Sequence, residues 1–243
     1  MELNQSLNHF LSQTDSVGAG LFGLLLTMSV ASWYFIVVKA WRAVRVRRQA
    51  DDFLRRFWNA DTLSEVASQV RGRDPFSNLT RHALAASQHH ARHGHGLQQA
   101  GSASDFLTRA MRRTIDEETA QLEWGLTALA SIASTAPFVG LFGTVWGVYH
   151  ALVGIGQGGL ATLDQIAGPV GEALIMTGLG LAVAIPAVLA YNDCVRGNRL
   201  LLSRLDGFAH DLFAFLTTGS ALNPGQIPAQ PIGAELAYVG GER

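Results

Sequence analysis

The sequence has little charge and a single cysteine. Only 15% of its 243 residues are Asp, Glu, Lys or Arg, and 48% are hydrophobic. Soluble proteins carry about 25% charged residues, so this deficit indicates that part of the chain lies in lipid. Because Cys194 stands alone, an internal disulfide is excluded, and its small neighbours near a helix end favour a packing role. The first residues lack the basic segment of a secretory signal, so none is expected.

Charged residues are missing altogether from three long stretches, 17–38, 124–163 and 173–192. A helix needs roughly 20 apolar residues to cross the hydrocarbon core of a bilayer, and each stretch reaches this length. Each is also too long and too apolar for an ordinary buried helix of a soluble protein. The sequence therefore predicts an all-α membrane protein with three transmembrane helices.

Basic residues are missing from the N-terminal segment 1–38 and from the short loop 154–171. Every Lys and Arg lies either in 39–123 or after the third apolar stretch, and several stand directly against the ends of the first and third stretches. The excess of Lys and Arg near membrane ends marks the cytoplasmic side. We therefore expect the N-terminus outside, and the middle segment and C-terminus inside.

Periodicity and breaker residues divide the chain further. Apolar residues at three- and four-residue spacing predict helical runs at 51–70, 76–88 and 104–123, separated by a break at 71–75 and a polar linker at 89–102. The predicted segments are a periplasmic N-terminus (1–17), transmembrane helix 1 (18–38), a cytoplasmic helical domain (39–123), transmembrane helix 2 (124–154), a periplasmic loop (155–171), transmembrane helix 3 (172–192), a cytoplasmic helical extension (193–218) and a flexible Gly- and Pro-rich tail (219–243).

Spans two and three each carry a stripe of small residues at alternating spacings of three and four, which keeps the stripe on one helix face. Membrane helices associate where small side chains let backbones approach closely. We expect these two spans to pack tightly, with each other or with further copies in an oligomer, and span one to be more peripheral. The predicted packing residues are Ala136, Gly140, Gly143 and Gly147 in span two and Gly180 and Ala184 in span three.

Two prolines interrupt the same spans. Pro137 and Pro186 each remove one backbone hydrogen bond, which membrane helices tolerate where neighbouring helices or hydroxyls satisfy the freed carbonyls. Ser134 and Thr135 are close enough to help at Pro137. The resulting kinks either shape a central cavity or are simply accommodated.

Few polar groups lie at membrane depth. Glu172, at the outer end of span three, is either a proton-handling carboxylate facing a bundle interior or water, or a first-turn carboxylate stabilised by the helix dipole. Thr144 and Thr177 either line a wet pore or bond back to their own helices, and position alone favours the second. Tyr149 and His150 are expected at the membrane interface.

The histidine-rich tract 89–95 has imidazoles one helical turn apart, but no Cys or carboxylate completes a metal site. Its glycines favour a solvated linker. The sequence contains no phosphate-binding loop, catalytic-triad spacing or zinc-helix motif. We expect no enzyme activity, no metal, no cofactor and no nucleic-acid partner.

Two motifs carry a family resemblance. Residues 134–147, STAPFVGLFGTVWG, resemble the second span of the MotA/TolQ/ExbB family, and residues 168–192, GPVGEALIMTGLGLAVAIPAVLAYN, resemble its third. Both motifs are long and specific, and the three-span topology agrees over the rest of the chain. The first residues of the two motifs, APFV at 136–139 and GPVGEALIMT at 168–177, favour the ExbB branch over the TolQ branch.

The resemblance implies a homopentameric ring in the inner membrane of Gram-negative bacteria, with spans two and three lining a central pore. It also implies an ExbD-like single-span partner, whose membrane Asp carries protons, and coupling of the proton motive force to TonB for uptake of iron-siderophores and vitamin B12. Matched residue by residue, it assigns Thr144, Thr177 and Glu172 to the pore lining or proton pathway. No span of this chain has an acid at its middle, so the partner must supply the carboxylate.

Three other functions remain open at this point. A TolQ-type subunit of the Tol-Pal envelope system belongs to the same class and would accompany a TolR-type partner. A passive ion channel or transporter subunit would conduct without a single-span partner. A purely structural membrane scaffold would tolerate loss of Glu172 and Thr144.

Overall fold

The computed structural model describes residues 16–59, 70, 72, 74–93, 103–158 and 163–218, and the regular structure within them is entirely helical. These residues form five helices, α1 (Ser16–Trp58), α2 (Pro75–His93), α3 (Ala103–Glu123), α4 (Leu126–Gly158) and α5 (Leu163–Thr218). In the described part of the chain, three stretches are long and apolar enough to cross a membrane, namely Ser16–Trp58, Ala103–Gly154 and Gly168–Thr218. The predicted all-α protein with three candidate spans is confirmed.

The chain forms two compact units, and the first contains Met1–Arg55 and Asp116–Leu202. In this unit α1 packs against α4 and α5 by one face only. Leu25 of α1 is buried with Ala136, Met176 and Val183, and Ser32 and Lys39 follow at seven-residue intervals on the same buried face. The opposite face of α1 is exposed, with Val30 at 65% exposure. Such a one-sided helix suits the edge of a bundle in lipid.

The second unit contains Arg56–Ile115 and Ser203–Arg243, and its core is aromatic. The rings of Phe57 and Phe208 meet edge to face at 4.9 Å between centroids, and those of Phe76 and Phe208 at 5.5 Å. The carboxylate of Asp74 accepts hydrogen bonds from the backbone N–H groups of Phe76 (3.1 Å) and Ser77 (3.0 Å). Asp74 therefore caps α2, and the break predicted at 71–75 is where this helix begins.

Helix ends differ from the prediction in three places. α1 ends at Trp58, and residues 60–69 of the helical run expected at 51–70 lie outside the described residues. The linker predicted from residue 89 is wrong for 89–93, because α2 continues to His93. Glycines at 94 and 96 suggested the linker, but Ala and Arg within 89–93 are good helix formers. α5 begins at Leu163, well before the apolar stretch, since hydropathy locates the lipid-facing part of a helix and not its first turn.

Candidate functional site

The site is built on a close backbone contact between α4 and α5. A Cβ atom at Gly140 would lie 2.6 Å from the carbonyl oxygen of Met176 and 3.0 Å from the Cα of Gly180. A Cβ atom at Gly180 would lie 2.7 Å from the carbonyl oxygen of Ala136. All three distances are shorter than van der Waals contact, and the atoms approached belong to the backbone, which cannot move independently. Only glycine therefore fits at these two positions while the helices keep their separation.

The other predicted packing residues lie along the same contact. A Cβ atom at Gly147 would come within 2.9 Å of the Cβ of Ala173, and one at Gly143 would meet the side chain of Met176. Ala136 and Ala184 are buried in the core of this unit. The structure thus brings the two small-residue stripes together within one chain. Their part in an assembly of several copies stays a prediction.

The two threonines lie at this contact, and their hydroxyls are hydrogen-bonded to each other. The Thr144 hydroxyl also donates to the carbonyl oxygen of Gly140 at 3.1 Å. A hydroxyl has one proton to give, so the Thr177 hydroxyl is the donor in the bond between them. Both side chains are half-buried. Thr144 thus bonds back to its own helix, as one of the two alternatives predicted, and the lining of a pore by either threonine stays a prediction.

The pairing of the threonines was missed from the sequence, although a signal was present. Thr177 stands within the small-residue stripe of span three, between Ala173 and Gly180, and Thr144 is one turn after Gly140 of the other stripe. Two hydroxyls on packed stripes near a shared glycine contact are expected to meet if the helices align there. That alignment depends on the register of two helices distant in sequence, which periodicity alone does not give.

Glu172 lies near the contact but not at the threonine pair. It is half-buried and directly precedes Ala173, which faces Gly147. Five residues separate it from Thr177, which corresponds to about 7.5 Å along the axis and about 140° around it. Because α5 begins at Leu163, Glu172 stands in the third turn, whereas the helix dipole acts mainly within the first turn. The dipole interpretation of this carboxylate, which assumed a first-turn position, is therefore wrong.

The prolines do not end their helices. α4 runs unbroken through Pro137, and α5 runs through Pro169 and Pro186. The hydroxyls of Ser134 and Thr135 donate to the carbonyl of Ser131, at 3.1 and 2.7 Å. The carbonyl that Pro137 leaves without its usual donor is that of residue 133. The expected compensation by these two hydroxyls is therefore wrong.

The ring-bearing residues near the end of α4 contact one another. The ring of His150 lies 4.7 Å from that of Trp146, and Tyr149 meets His150 edge to face at 5.5 Å. Tyr149 and His150 are both exposed. Amphipathic rings on an exposed helix face are typical of a membrane–water boundary, which fits their predicted place.

The histidine-rich tract is only partly described. The ring of His89 stacks on Phe106 of α3 at 6.2 Å, and the ring of His90 lies 6.0 Å from the same phenyl group. The rest of the tract, from residue 94, lies outside the described residues. Among the residues that the structure describes, no group of three or more His, Cys, Asp or Glu side chains could hold a metal ion.

A second feature, not foreseen from the sequence, joins all three spans where α3 passes into α4. The Lys39 ammonium donates to the carbonyl oxygen of Leu122 at 2.6 Å, and the Asn198 amide donates to the same oxygen at 2.8 Å. Gly125 adopts a left-handed conformation with φ of 76°, which only glycine takes up readily. These contacts satisfy an end carbonyl of α3 and connect α1, α3 and α5 at one atom.

This junction predicts a non-additive loss of stability. Lys39→Met and Asn198→Ala each leave the Leu122 carbonyl one donor, whereas the double variant leaves this oxygen without either. We expect each single change to lower the free energy of unfolding by about 1 kcal/mol and the double change to cost more than the sum. Thermal unfolding of the purified protein in detergent measures this. Arg48→Met, an exposed change on the same helix, is the control, and strict additivity of the double variant would contradict the shared-acceptor geometry.

Taken together, these features define a polytopic membrane protein in which two spans pack through glycines beside a bonded pair of hydroxyls. Residues 74–206 match the MotA/TolQ/ExbB proton channel family, and the chain belongs to this family. It is 44% identical over 202 residues to the biopolymer transport protein ExbB of Xanthomonas campestris pv. campestris, covering 81% of this chain and 80% of the relative. The identity to ExbB of Neisseria meningitidis is 42% over 200 residues, which cover 82% of this chain and 91% of the relative. The Tol-Pal system protein TolQ of Pseudomonas aeruginosa is 38% identical over 198 residues, which cover 79% of this chain and 84% of the relative.

Proposed function

We propose that this chain is an ExbB-type stator subunit of the inner membrane of Gram-negative bacteria. With an ExbD-like single-span partner it couples the proton motive force to TonB, for uptake of iron-siderophores and vitamin B12. The observation that carries the proposal is the hydrogen-bonded Thr144–Thr177 pair at the glycine contact of α4 and α5. Its support from relatives is the identity of 42–44% to proteins named ExbB over about four-fifths of the chain.

The proposed assembly is a homopentameric ring with its N-termini in the periplasm and its C-termini in the cytoplasm. In this ring α4 and α5 surround a pore that holds the partner's span, and the exposed face of α1 contacts lipid and the coupled protein. The one-sided burial of α1 supports this arrangement. So does the absence of Lys and Arg before residue 39.

The hydroxyl pair can serve a membrane carboxyl group in both of its protonation states. In the structure the Thr144 hydroxyl proton points toward the Gly140 carbonyl, and the Thr177 hydroxyl proton points toward the Thr144 oxygen. Both hydroxyl oxygens therefore keep a free lone pair that can accept a hydrogen bond from a protonated carboxyl group. If the Thr177 hydroxyl rotates away from Thr144, it becomes a donor to an ionised carboxylate. Stabilising the ionised form lowers the cost of a charge at membrane depth. Proton release and uptake by the partner's Asp would therefore take place beside this pair.

Glu172 is the second group in the proposed pathway. It lies about one and a half helical turns from the threonine pair, toward the end of α5 that faces the periplasm in this topology. A carboxylate in the third turn of α5 receives little support from the helix dipole, so a role in passing protons toward the pair accounts for its position. One elementary charge crossing the membrane releases about 2.3 kcal/mol per 100 mV, which is enough to shift a packed helix interface between two arrangements.

Glu172→Gln is expected to abolish growth on siderophore-bound iron while the protein still assembles with its partner. The amide keeps the size and polarity of the side chain but cannot ionise, so it cannot release and take up a proton as a carboxyl group does. Growth on ferric-siderophore medium and co-purification of the partner measure the two properties separately. Glu123→Gln, an exposed carboxylate at the end of α3, is the matched control. Normal siderophore-dependent growth of Glu172→Gln would contradict the proton-pathway role.

The alternative function is a TolQ-type subunit in envelope constriction. The identity of 38% to TolQ of Pseudomonas aeruginosa supports it. Affinity purification of the tagged chain from its native membrane discriminates between the two, because each function requires a different single-span protein. Recovery of a TolR-type protein, with normal siderophore use in a deletion strain, would replace the ExbB assignment by the TolQ assignment. Ion conductance of the chain alone in bilayers would instead indicate a passive channel.

A further inference from the structure

Two tryptophan–arginine stacks lie on the outer surface of the first unit, at the end of the apolar part of α1. The Arg45 guanidinium carbon lies 5.4 Å from the ring centroid of Trp41, and that of Arg42 lies 5.6 Å from the ring centroid of Trp124. The indoles are 63% and 52% exposed, and both arginines are exposed. We name these four residues the indole–guanidinium patch.

The two arginines stand one helical turn apart on α1. Arg42 and Arg45 are three residues apart on a helix, so their Cβ atoms lie about 5–6 Å from each other. A guanidinium stacked on an indole uses its face for the ring and keeps its N–H edge for acceptors. Neither arginine pairs with a carboxylate in the part of the chain that the structure describes. The N–H groups of each guanidinium therefore suit an oxyanion that accepts two parallel hydrogen bonds from it.

The position of the patch indicates which oxyanion this is. The exposed face of α1 before it is apolar, with Val30, Val37 and Trp33 all exposed, and charged residues begin only at Lys39. Indole rings favour the headgroup level of a bilayer. A phosphate held at that level, beside an apolar helix face, is the phosphate of a membrane lipid with its acyl chains alongside α1.

We propose that the indole–guanidinium patch is a binding site for the headgroup phosphate of an anionic phospholipid. The Arg42 and Arg45 forks bind the phosphate oxygens, and the indoles of Trp41 and Trp124 hold the guanidinium groups in place and contact the glycerol region. The net charge of the headgroup gives the selectivity, because a zwitterionic lipid carries a choline cation that the two arginines repel. This site does not depend on the stator assignment.

Quenching of tryptophan fluorescence by brominated lipids tests the proposal on the full-length chain in vesicles. Three of its five tryptophans are first replaced by Phe, so that only Trp41 and Trp124 report: the replaced residues are Trp33, Trp58 and Trp146. Brominated phosphatidylglycerol or brominated phosphatidylcholine is then the minor component of otherwise identical vesicles. The ratio of quenching by the two lipids gives the preference of the patch for the anionic headgroup.

We expect phosphatidylglycerol to quench more strongly, and Arg42→Gln with Arg45→Gln to reduce the preference about fivefold for each guanidinium removed. Replacement of both by Lys should retain part of it, since the charge remains but the stacked fork is lost. The control is Arg109→Gln with Arg112→Gln, an exposed pair at the same spacing on α3. Equal quenching by the two lipids, an unchanged preference in the patch variant or an equal loss in the control would overturn the proposal. If neither brominated lipid quenched the indoles, protein would cover the patch, and this result would overturn the proposal as well.

Discussion

Gly140→Ala is expected to lower the free energy of unfolding by about 2–3 kcal/mol, near the upper end of what a single added methyl group costs in a packed interface. The new Cβ would stand 2.6 Å from the carbonyl oxygen of Met176 and 3.0 Å from the Cα of Gly180. Neither atom belongs to a flexible side chain, so α4 and α5 must separate to admit it. Thermal unfolding of the purified chain in detergent, followed by circular dichroism, measures the change.

Gly178→Ala is the matched control for this prediction. Gly178 is also a helical glycine of the third span, two residues from Gly180, but a Cβ atom there would meet nothing within 4 Å. Alanine is about 1 kcal/mol more favourable than glycine in a helix, so this variant should be as stable as the parent or more stable. If both variants lost the same stability, the cost would come from changing a membrane glycine in general, and the close contact at Gly140 would not be its cause.

The stripe of small residues was the part of the site that the sequence predicted best. Its period follows from helix geometry, so the residues facing a neighbour could be chosen without knowing which neighbour it was. The choice between a partner within the chain and another copy was open, because helix association in lipid depends on shape and not on hydrophobicity. The structure places Gly140 against Gly180 of the same chain, which periodicity could not specify.

Lys39 shows a second kind of information that sequence patterns do not contain. In the sequence Lys39 is the first basic residue after span one, and it contributed only to the prediction of which side of the membrane is cytoplasmic. In the structure its ammonium is buried and donates to Leu122, 83 residues further along the chain. A contact over this separation depends on how α1 and α3 approach each other. The same applies to Glu172, whose distance from the start of α5 depended on a helix end that hydropathy does not mark.

Thr177→Val is expected to reduce siderophore-dependent growth to the level of a strain lacking the gene, with little loss of stability. Valine has nearly the same shape as threonine, so the glycine contact beside it is kept. The hydroxyl that donates to Thr144 is removed, and with it the group that can turn toward an ionised carboxylate. One neutral hydrogen bond contributes only about 1 kcal/mol to stability, whereas the proposed proton step depends on this donor. Growth on ferric-siderophore medium and thermal unfolding in detergent give the two readouts.

Thr177→Ser separates the chemistry of the hydroxyl from packing at this position. Serine keeps the donor and removes a methyl group, so we expect growth close to that of the parent despite a small loss of stability. Thr135→Val is a further control, since Thr135 is an exposed threonine of the same span as Thr144 and donates only to Ser131. The prediction requires growth to follow the hydroxyl and not the stability. If Thr177→Val grew normally, or if Thr177→Ser failed as Thr177→Val does, the pair would be a packing contact and the proton pathway would have to run elsewhere.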